Sequence, residues 1–571
     1  MKRTLLAATA TMILAGCYGT AQQADDVAQA PQSTEGTEAP PPPPPPTPGA
    51  KAKPTDSEAG RFLRQASFGP AEGDVAEVER LGYADWLAAQ MNLPMQSMAD
   101  RLDYADEQNG AEVMNLFWEY AIQGDDQLRQ RVTFALSQIV VASLQSKTLN
   151  RRGSAYANYV DILQRQAFGN YEDLIREVSF NPAMASYLSM VGNRKADPET
   201  GIEPDENYAR EVMQLFTIGL VELRMDGTST GAETYTIEDV RGLARVFTGL
   251  SWADTRFNSP IVSEANVRKP MVGFPEYHDA SPKPFLGTVI DEGSDPVASV
   301  NAALDHLLAH PNVPPFVSRR LIQRLVTANP SPAYIERVAT AYASGRFEAD
   351  TRSFGTGRRG DMAATVAAIL LDPEARDERL IDAEYGRVRD PSVRLAHFFR
   401  SFGHDTPRSR GAAKDVGSLR SNDATGGRDG RPLAPPSVFG FSRVDYVAAG
   451  TWTGGAGLAA PGLQVSGGTA MTGYVSRMRQ AVTRGMASDE VLYVKPDLTA
   501  LTAIADDAPT LVAEIDDRLM QGELSESTTA RMITAAETIS IRDADPEQDR
   551  KQRAEIALHL AVTSPEYMVQ R

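Results

Sequence analysis

From Ala59 to the end of the chain, apolar residues recur at helical spacing and almost nowhere at the alternate positions that a half-buried strand needs. That pattern limits the fold to a mainly α, multi-helix globular body with a long Gly/Pro-rich loop region and at most short β-hairpins. Leu128, Val132, Leu136, Ile139 and Val140 form one stripe of a helix expected to run to about Ser143. Asn170 is placed to cap the next helix, with Glu172 and Asp173 in its first turn. Ser331 followed by Pro332 marks another start, and Ile335, Val338, Ala339 and Tyr342 carry its apolar face. Asp361 to Leu371 reads as a helix ended by Pro373, and three or four more follow Tyr474. Only Val289-Ile290 and the stretch Thr234 to Thr236 suggest hairpin pieces. No repeat of fixed period is present. Residues 403–470 are rich in Gly, Arg, Ser and Pro, yet contain Phe439, Phe441, Tyr446 and Trp452, an aromatic cluster that predicts a packed loop. The expected organisation is a main helical body over 57–402, a loop-rich insert packed on it over 403–472, and C-terminal helices of the same unit over 473–571.

Composition narrows the chemistry. With 57 Lys+Arg against 75 Asp+Glu, the chain lacks the basic footprint that phosphate backbones require, so nucleic acid is not expected as a partner. Its one cysteine excludes a disulfide scaffold, a thiolate zinc site and an iron–sulfur cluster.

That cysteine sits where it carries a message. Lys2 and Arg3 are followed by an apolar run from Leu5 to Ala15, too short to span a bilayer as a mature helix. The run ends in Leu14-Ala15-Gly16-Cys17, which resembles the bacterial lipobox. The resemblance implies a signal peptide over 1–16 and acylation of Cys17, anchoring the chain in a lipid bilayer at the cell envelope. An Asp after the cysteine commonly retains such proteins in the inner membrane. Tyr18 stands there instead, which favours the outer membrane. Residues 17–56, with seven consecutive prolines from Pro40 to Pro46, read as a disordered tether stiffened by polyproline II.

Several strings resemble one family. They include Arg61-Phe62-Leu63-Arg64-Gln65-Ala66-Ser67-Phe68-Gly69-Pro70, Leu128-Arg129-Gln130-Arg131-Val132 and Ala167-Phe168-Gly169-Asn170-Tyr171. The most specific is Pro204-Asp205-Glu206-Asn207-Tyr208-Ala209-Arg210-Glu211-Val212-Met213-Gln214-Leu215-Phe216-Thr217-Ile218-Gly219. His278-Asp279, His310-Pro311-Asn312, Ala434-Pro435-Pro436-Ser437-Val438-Phe439-Gly440-Phe441 and Ser564-Pro565-Glu566-Tyr567 follow. Together they resemble the domain of unknown function 1800 family over about 59–571. The resemblance implies one large helical unit in secreted or envelope-attached bacterial proteins. It also implies an exported protein partner, since the family is often encoded beside a second uncharacterised exported one. It brings no established activity. The family motif usually ends in an acidic residue and a histidine where this chain has Gln214 and Phe216.

The candidate chemistry centres on that motif. On a regular helix Tyr208, Val212, Leu215 and Phe216 make the apolar face, with Gly219 as the stop. Asn207, Glu211 and Gln214 make a polar stripe beside it. Glu206 and Glu211 are candidate carboxylates, and the plainer alternative is a Glu206–Arg210 pair within a buried network that fixes helix packing. The acidic loop 197–211, preceded by Asn193, is the candidate place for a divalent cation, although EF-hand spacing is absent. His278, Asp279 and Lys283 lie in a Pro/Gly-rich loop. An imidazole close to Glu211 would make an acid/base pair or half a metal site, and the alternative is a histidine that holds the loop.

His306 and His310 stand four apart but lack the glutamate of a zinc helix, and His310 suits a helix end as a dipole-stabilising cation. Gly227-Thr228-Ser229-Thr230-Gly231 reads as a turn rather than a nucleophile elbow. Gly355-Thr356-Gly357-Arg358-Arg359-Gly360 reads at most as a loose anion loop. The pairs Arg151-Arg152 and Arg319-Arg320 read as solvated or ion-paired faces. Two expectations result. One is a partner- or polymer-binding helical body on a membrane-anchored stalk. The other is an envelope hydrolase or metal-dependent enzyme in which Glu206, Glu211 and His278 converge.

Overall fold

A computed structural model of the chain describes residues 53–102, 110–259, 262–349, 352–377, 385–403, 431–485 and 494–571. The expected signal peptide, Cys17, nearly all of the tether and residues 404–430 of the loop-rich stretch lie outside the described residues. The described residues belong to one compact unit, Gly49–Arg571.

The fold is mainly α, as the apolar spacing predicts. Capping side chains start the helices where the sequence places them. Thr55 and Glu58 form a capping box at Asp56–Ala66, Asn170 accepts from the Glu172 amide at 2.9 Å, and Ser331 accepts from Tyr334 at 3.1 Å. Helix Gln127–Ser137 stops short of the expected Ser143. Past Gln138 the chain leaves the helix, and two of its carbonyls are met by hydroxyls of helix Gly153–Gln166. The Tyr159 hydroxyl donates to Val140 O, and the Tyr156 hydroxyl donates to Ala142 O at 3.0 Å.

Helix Val313–Leu325 is central. It packs on Gln127–Ser137, on Pro332–Ser344 and on Met362–Leu370. Val317, Leu321 and Ile322 are fully buried along it, each contributing roughly 1.5–3 kcal/mol by removal from water.

Apart from isolated bridges, the β structure among the described residues is five two-stranded antiparallel pairs. Lys283–Phe285 pairs with Thr288–Ile290, as expected around Val289. The stretch from Thr234 to Thr236 is not a strand. Thr236 caps helix Ile237–Val246, and the nearby hairpin is Val221–Leu223 with Ser229–Glu233. The chain's end closes on the body: Val569–Gln570 pairs with Arg387–Val388, and the Gln570 amide donates to Leu325 O (2.7 Å) and Val326 O (2.9 Å).

The loop-rich stretch is anchored along 138–145. Leu144 N donates to Leu433 O at 3.1 Å, and the Ser143 hydroxyl donates to Pro435 O at 2.7 Å. Its aromatic residues do not form one packed cluster. Phe441 is buried against Phe134, whereas Phe439 and Trp452 are 42% and 62% exposed. Helix Gly468–Arg484 runs across position 472, and five further helices lie between Thr499 and Met568. Among the described residues no helix is long and apolar enough to cross a membrane.

Candidate functional site

The specific motif does not fold as one regular helix. An α-helical turn, Asn207–Glu211, widens into a π-helix, Val212–Thr217. Tyr208, Val212, Met213 and Phe216 are buried, but Leu215, expected on that same face, is only half-buried. Where the π-helix ends, several carbonyls in and just after it are met by side chains of other elements. The Tyr171 hydroxyl donates to Phe216 O, and Asn312 Nδ2 donates to both Ile218 O and Val221 O, all at 2.8 Å. The Thr234 hydroxyl donates to Gly219 O. Gly219 itself has φ +72°, and a Cβ there would lie 2.8 Å from the Phe316 ring.

The polar residues of the motif have separate fates. Glu206 is half-buried and pairs with Arg210 at 2.8 Å and with Arg241 at 3.7 Å. The Asn207 amide donates to the Asp205 carboxylate at 2.8 Å, and Asp205 N donates to Asn193 Oδ1 at 2.8 Å, fixing the entry to the helix. Glu211 is 8% exposed, and its Oε2 is buried with no hydrogen-bond partner among the described residues. Burial pushes its carboxyl up to about 7, against the opposing pull of Arg210.

His278 is not a surface residue. It is 2% exposed, and both ring nitrogens are engaged. Nδ1 lies 2.8 Å from Thr248 O, and Nε2 lies 3.1 Å from the Ser299 hydroxyl. A carbonyl can only accept, so Nδ1 carries the proton and Nε2 accepts from Ser299. This is the neutral imidazole, in keeping with a pKa lowered by burial. Asp279 pairs with Arg245 at 2.7 Å. Burial alone would raise its carboxyl, but the bonds from Arg245 and Ser281 hold it at about 2. Lys283 is fully buried and donates to Asp279 O (2.9 Å) and Ser281 O (3.2 Å). Burial lowers its pKa.

Glu206, Glu211 and His278 therefore share no hydrogen-bond network among the described residues. What links the two regions is helix Ile237–Val246, whose Arg241 reaches Glu206 and whose Arg245 reaches Asp279.

The acidic loop does not gather its oxygens around one point. The Asp197 carboxylate accepts from Glu199 N (3.0 Å) and the Thr200 hydroxyl (2.7 Å), closing its own turn. Among the described residues no group of three or more His, Cys, Asp or Glu side chains is placed to hold a metal ion. His310 is not a dipole-stabilising cation. Its Nδ1 accepts from Asn312 N at 3.1 Å, and burial lowers its pKa. In the glycine-rich loop, the Asp361 carboxylate takes the position an anion would occupy, accepting from Thr356 N (2.8 Å) and Ala364 N (3.0 Å).

A second site, missed by sequence reasoning, lies beside the π-helix. It is a cleft of about 340 Å³. One wall is helix Val313–Leu325, which presents Phe316, Arg319, Arg320 and Arg324 at i, i+3, i+4 and i+8. The facing wall is Gln214 and Leu215, with Gly219 to Val221 and Leu223 after them. Gln138, Ile139, Val438, Phe439 and residues 443–445 complete the lining.

Arg324 is the floor, donating to Gln138 Oε1 at 3.1 Å and to Ser442 O at 3.0 Å. The Arg320 guanidinium sits over the Phe316 ring at 5.0 Å. Arg443 pairs with Asp445 at 3.2 Å. Arg319 has no hydrogen bond or ion pair among the described residues, and its Nε is buried. Burial lowers the pKa of Arg319 against the pull of Asp445, and takes Arg320 and Arg324 down to about 10, so these two stay charged at neutral pH. The Arg319-Arg320 pair is thus not a solvated face. Its spacing from Phe316 and Arg324 on one helical stripe was the signal available.

A helical body with an internally satisfied histidine loop and an arginine-lined cleft is the class of protein that fold and site define. The family described as "Protein of unknown function (DUF1800)" matches residues 61–569, and the chain belongs to it. No curated protein and no solved structure matches the chain.

Proposed function

We propose that this chain is a cell-envelope lipoprotein that works by binding, with the arginine-lined cleft as its binding site. Acyl chains on Cys17 hold it in the outer membrane, and the proline-rich tether lifts the helical body from the lipid surface. The cleft takes an anionic group carried by an envelope molecule, an exported protein or a polymer. The observation that carries this reading is Arg319, half-buried with no hydrogen bond or ion pair among the described residues and only the longer-range pull of Asp445, in contrast to the committed groups around His278. A second reading, an envelope hydrolase, is favoured by one observation alone: Glu211 is buried, unpartnered and held near neutral pKa, as a general acid/base would be.

The two are separated in cells whose own copy is replaced by variants present at equal level. On the binding reading, Arg319→Glu reproduces the deletion phenotype and Glu211→Gln does not. The reverse pattern contradicts it and supports the hydrolase. The anchor is tested by palmitate labelling, which Cys17→Ala should abolish. Unchanged labelling refutes the anchor.

A further inference from the structure

Resting on the reading of the cleft as the binding site, we infer that its occupant is an amphipathic anion: one carboxylate or phosphate head on a small apolar body. The lining supplies both halves of that chemistry. Four arginines face one carboxylate, Asp445, in a chain whose net charge is −18. An acidic surface repels polyanions at long range, while a local arginine group concentrates a single anionic head.

The arginines are not equivalent. Arg324 is spent on Gln138 and Ser442, and Arg443 is spent on Asp445. Arg320 is stacked on Phe316, and among hydrogen bonds it makes a 3.3 Å one to Gln323. That leaves Arg319 as the head-group ligand, whose planar fork suits a carboxylate or phosphate oxygen pair. Arg320 stands beside it.

Charge behind the floor acts in the same direction. Buried Arg131 and Arg387 both donate to Arg324 O (2.8 and 2.5 Å), with Asp390, paired to Arg387 at 2.7 Å, as the neighbouring acid. The apolar half is Ile139, Leu215, Leu220, Val438 and Phe439, of which Leu220 and Phe439 are exposed at the rim. About 340 Å³ is at the small end of ligand pockets, roughly 300–1,000 Å³, so what enters the cleft is one head group with a short apolar body and not a run of polymer.

The test is isothermal titration calorimetry on residues 17–571 carrying Cys17→Ala, which leaves no acyl group to compete. The probes are decanoate, decyl phosphate and 1-decanol. Decanoate or decyl phosphate should bind at least about tenfold more tightly than 1-decanol, and the tighter of the two identifies the head. Arg319→Gln should weaken the anion by about tenfold or more and leave 1-decanol unchanged. Arg320→Gln, with a smaller loss, serves if the first variant does not fold. Equal binding of anion and alcohol, unchanged affinity in the variants, or no binding of either anion overturns the inference. In the last case the cell replacement experiment still decides whether the cleft is the working site, so the two failures are separable.

Discussion

The His278 loop and the arginine cleft treat their polar groups in opposite ways. At His278 the polar groups are engaged with one another: the imidazole bridges Thr248 and Ser299, the Thr248 hydroxyl accepts from Asp279 N, and Lys283 donates to two carbonyls. At the cleft, Arg319 has no such partner. Satisfied buried networks specify a fold. Unsatisfied capacity facing a cavity costs the fold something and persists where it serves a ligand.

The comparison breaks most readily at its structural end. His278→Ala should lower stability by about 3 kcal/mol, because it opens a cavity and strands the buried Ser299 hydroxyl and Thr248 carbonyl. The native His278 pKa lies below its unfolded value. Its contribution is therefore complete above the unfolded pKa of about 6.5 and falls away as pH drops below it. Unfolding of wild type and variant should converge on acidification, and parallel curves from pH 5 to 8 would argue against a neutral buried imidazole.

Gly219→Ala comes next. It forces a left-handed φ on a residue with a Cβ, at about 1–2 kcal/mol, and presses that Cβ into Phe316. Denaturant unfolding should show a loss of about 2 kcal/mol. Since Phe316 carries the Arg320 stack, decanoate affinity should fall as well.

Glu211→Gln has the opposite sign. Its folded pKa of about 7 lies above the unfolded value, so the native state holds the proton longer. Stability from this group is complete at low pH and is lost as pH rises through about 7. Glutamine should therefore gain on the order of 2 kcal/mol at pH 8 and little at pH 4. A loss of stability at pH 8 would mean that the charged carboxylate has a partner.

Much of the scaffold was legible. The caps at Asn170 and Ser331, the hairpin around Val289 and the Gly219 stop all follow from local chemistry. What was not legible depends on distant residues. The π-helix leaves no mark in apolar spacing, because it is held by Tyr171, Asn312 and Thr234 from other elements. Its wider turn moves Leu215 off the expected core face and into the cleft wall. Beyond helix Gln127–Ser137, too, the chain is held by distant residues, since Tyr156 and Tyr159 of a neighbouring helix bond the carbonyls of Ala142 and Val140. The sequence leaves His278 open between an acid/base role and holding its loop, because nothing local announces Ser299 beneath it. Arg319 and Arg320 look like any exposed basic pair until Phe316 and Arg324 are placed on the same stripe.

The most direct measurement sets Arg319→Gln beside His278→Ala in thermal unfolding at one fixed scan rate, since a chain of this size can unfold irreversibly. A group held for a ligand should leave stability within about 0.5 kcal/mol or raise it, so Arg319→Gln should match or exceed wild type while His278→Ala falls well below. If Arg319→Gln drops as far as His278→Ala, the guanidinium is part of the structural network, and the contrast between the two regions does not hold.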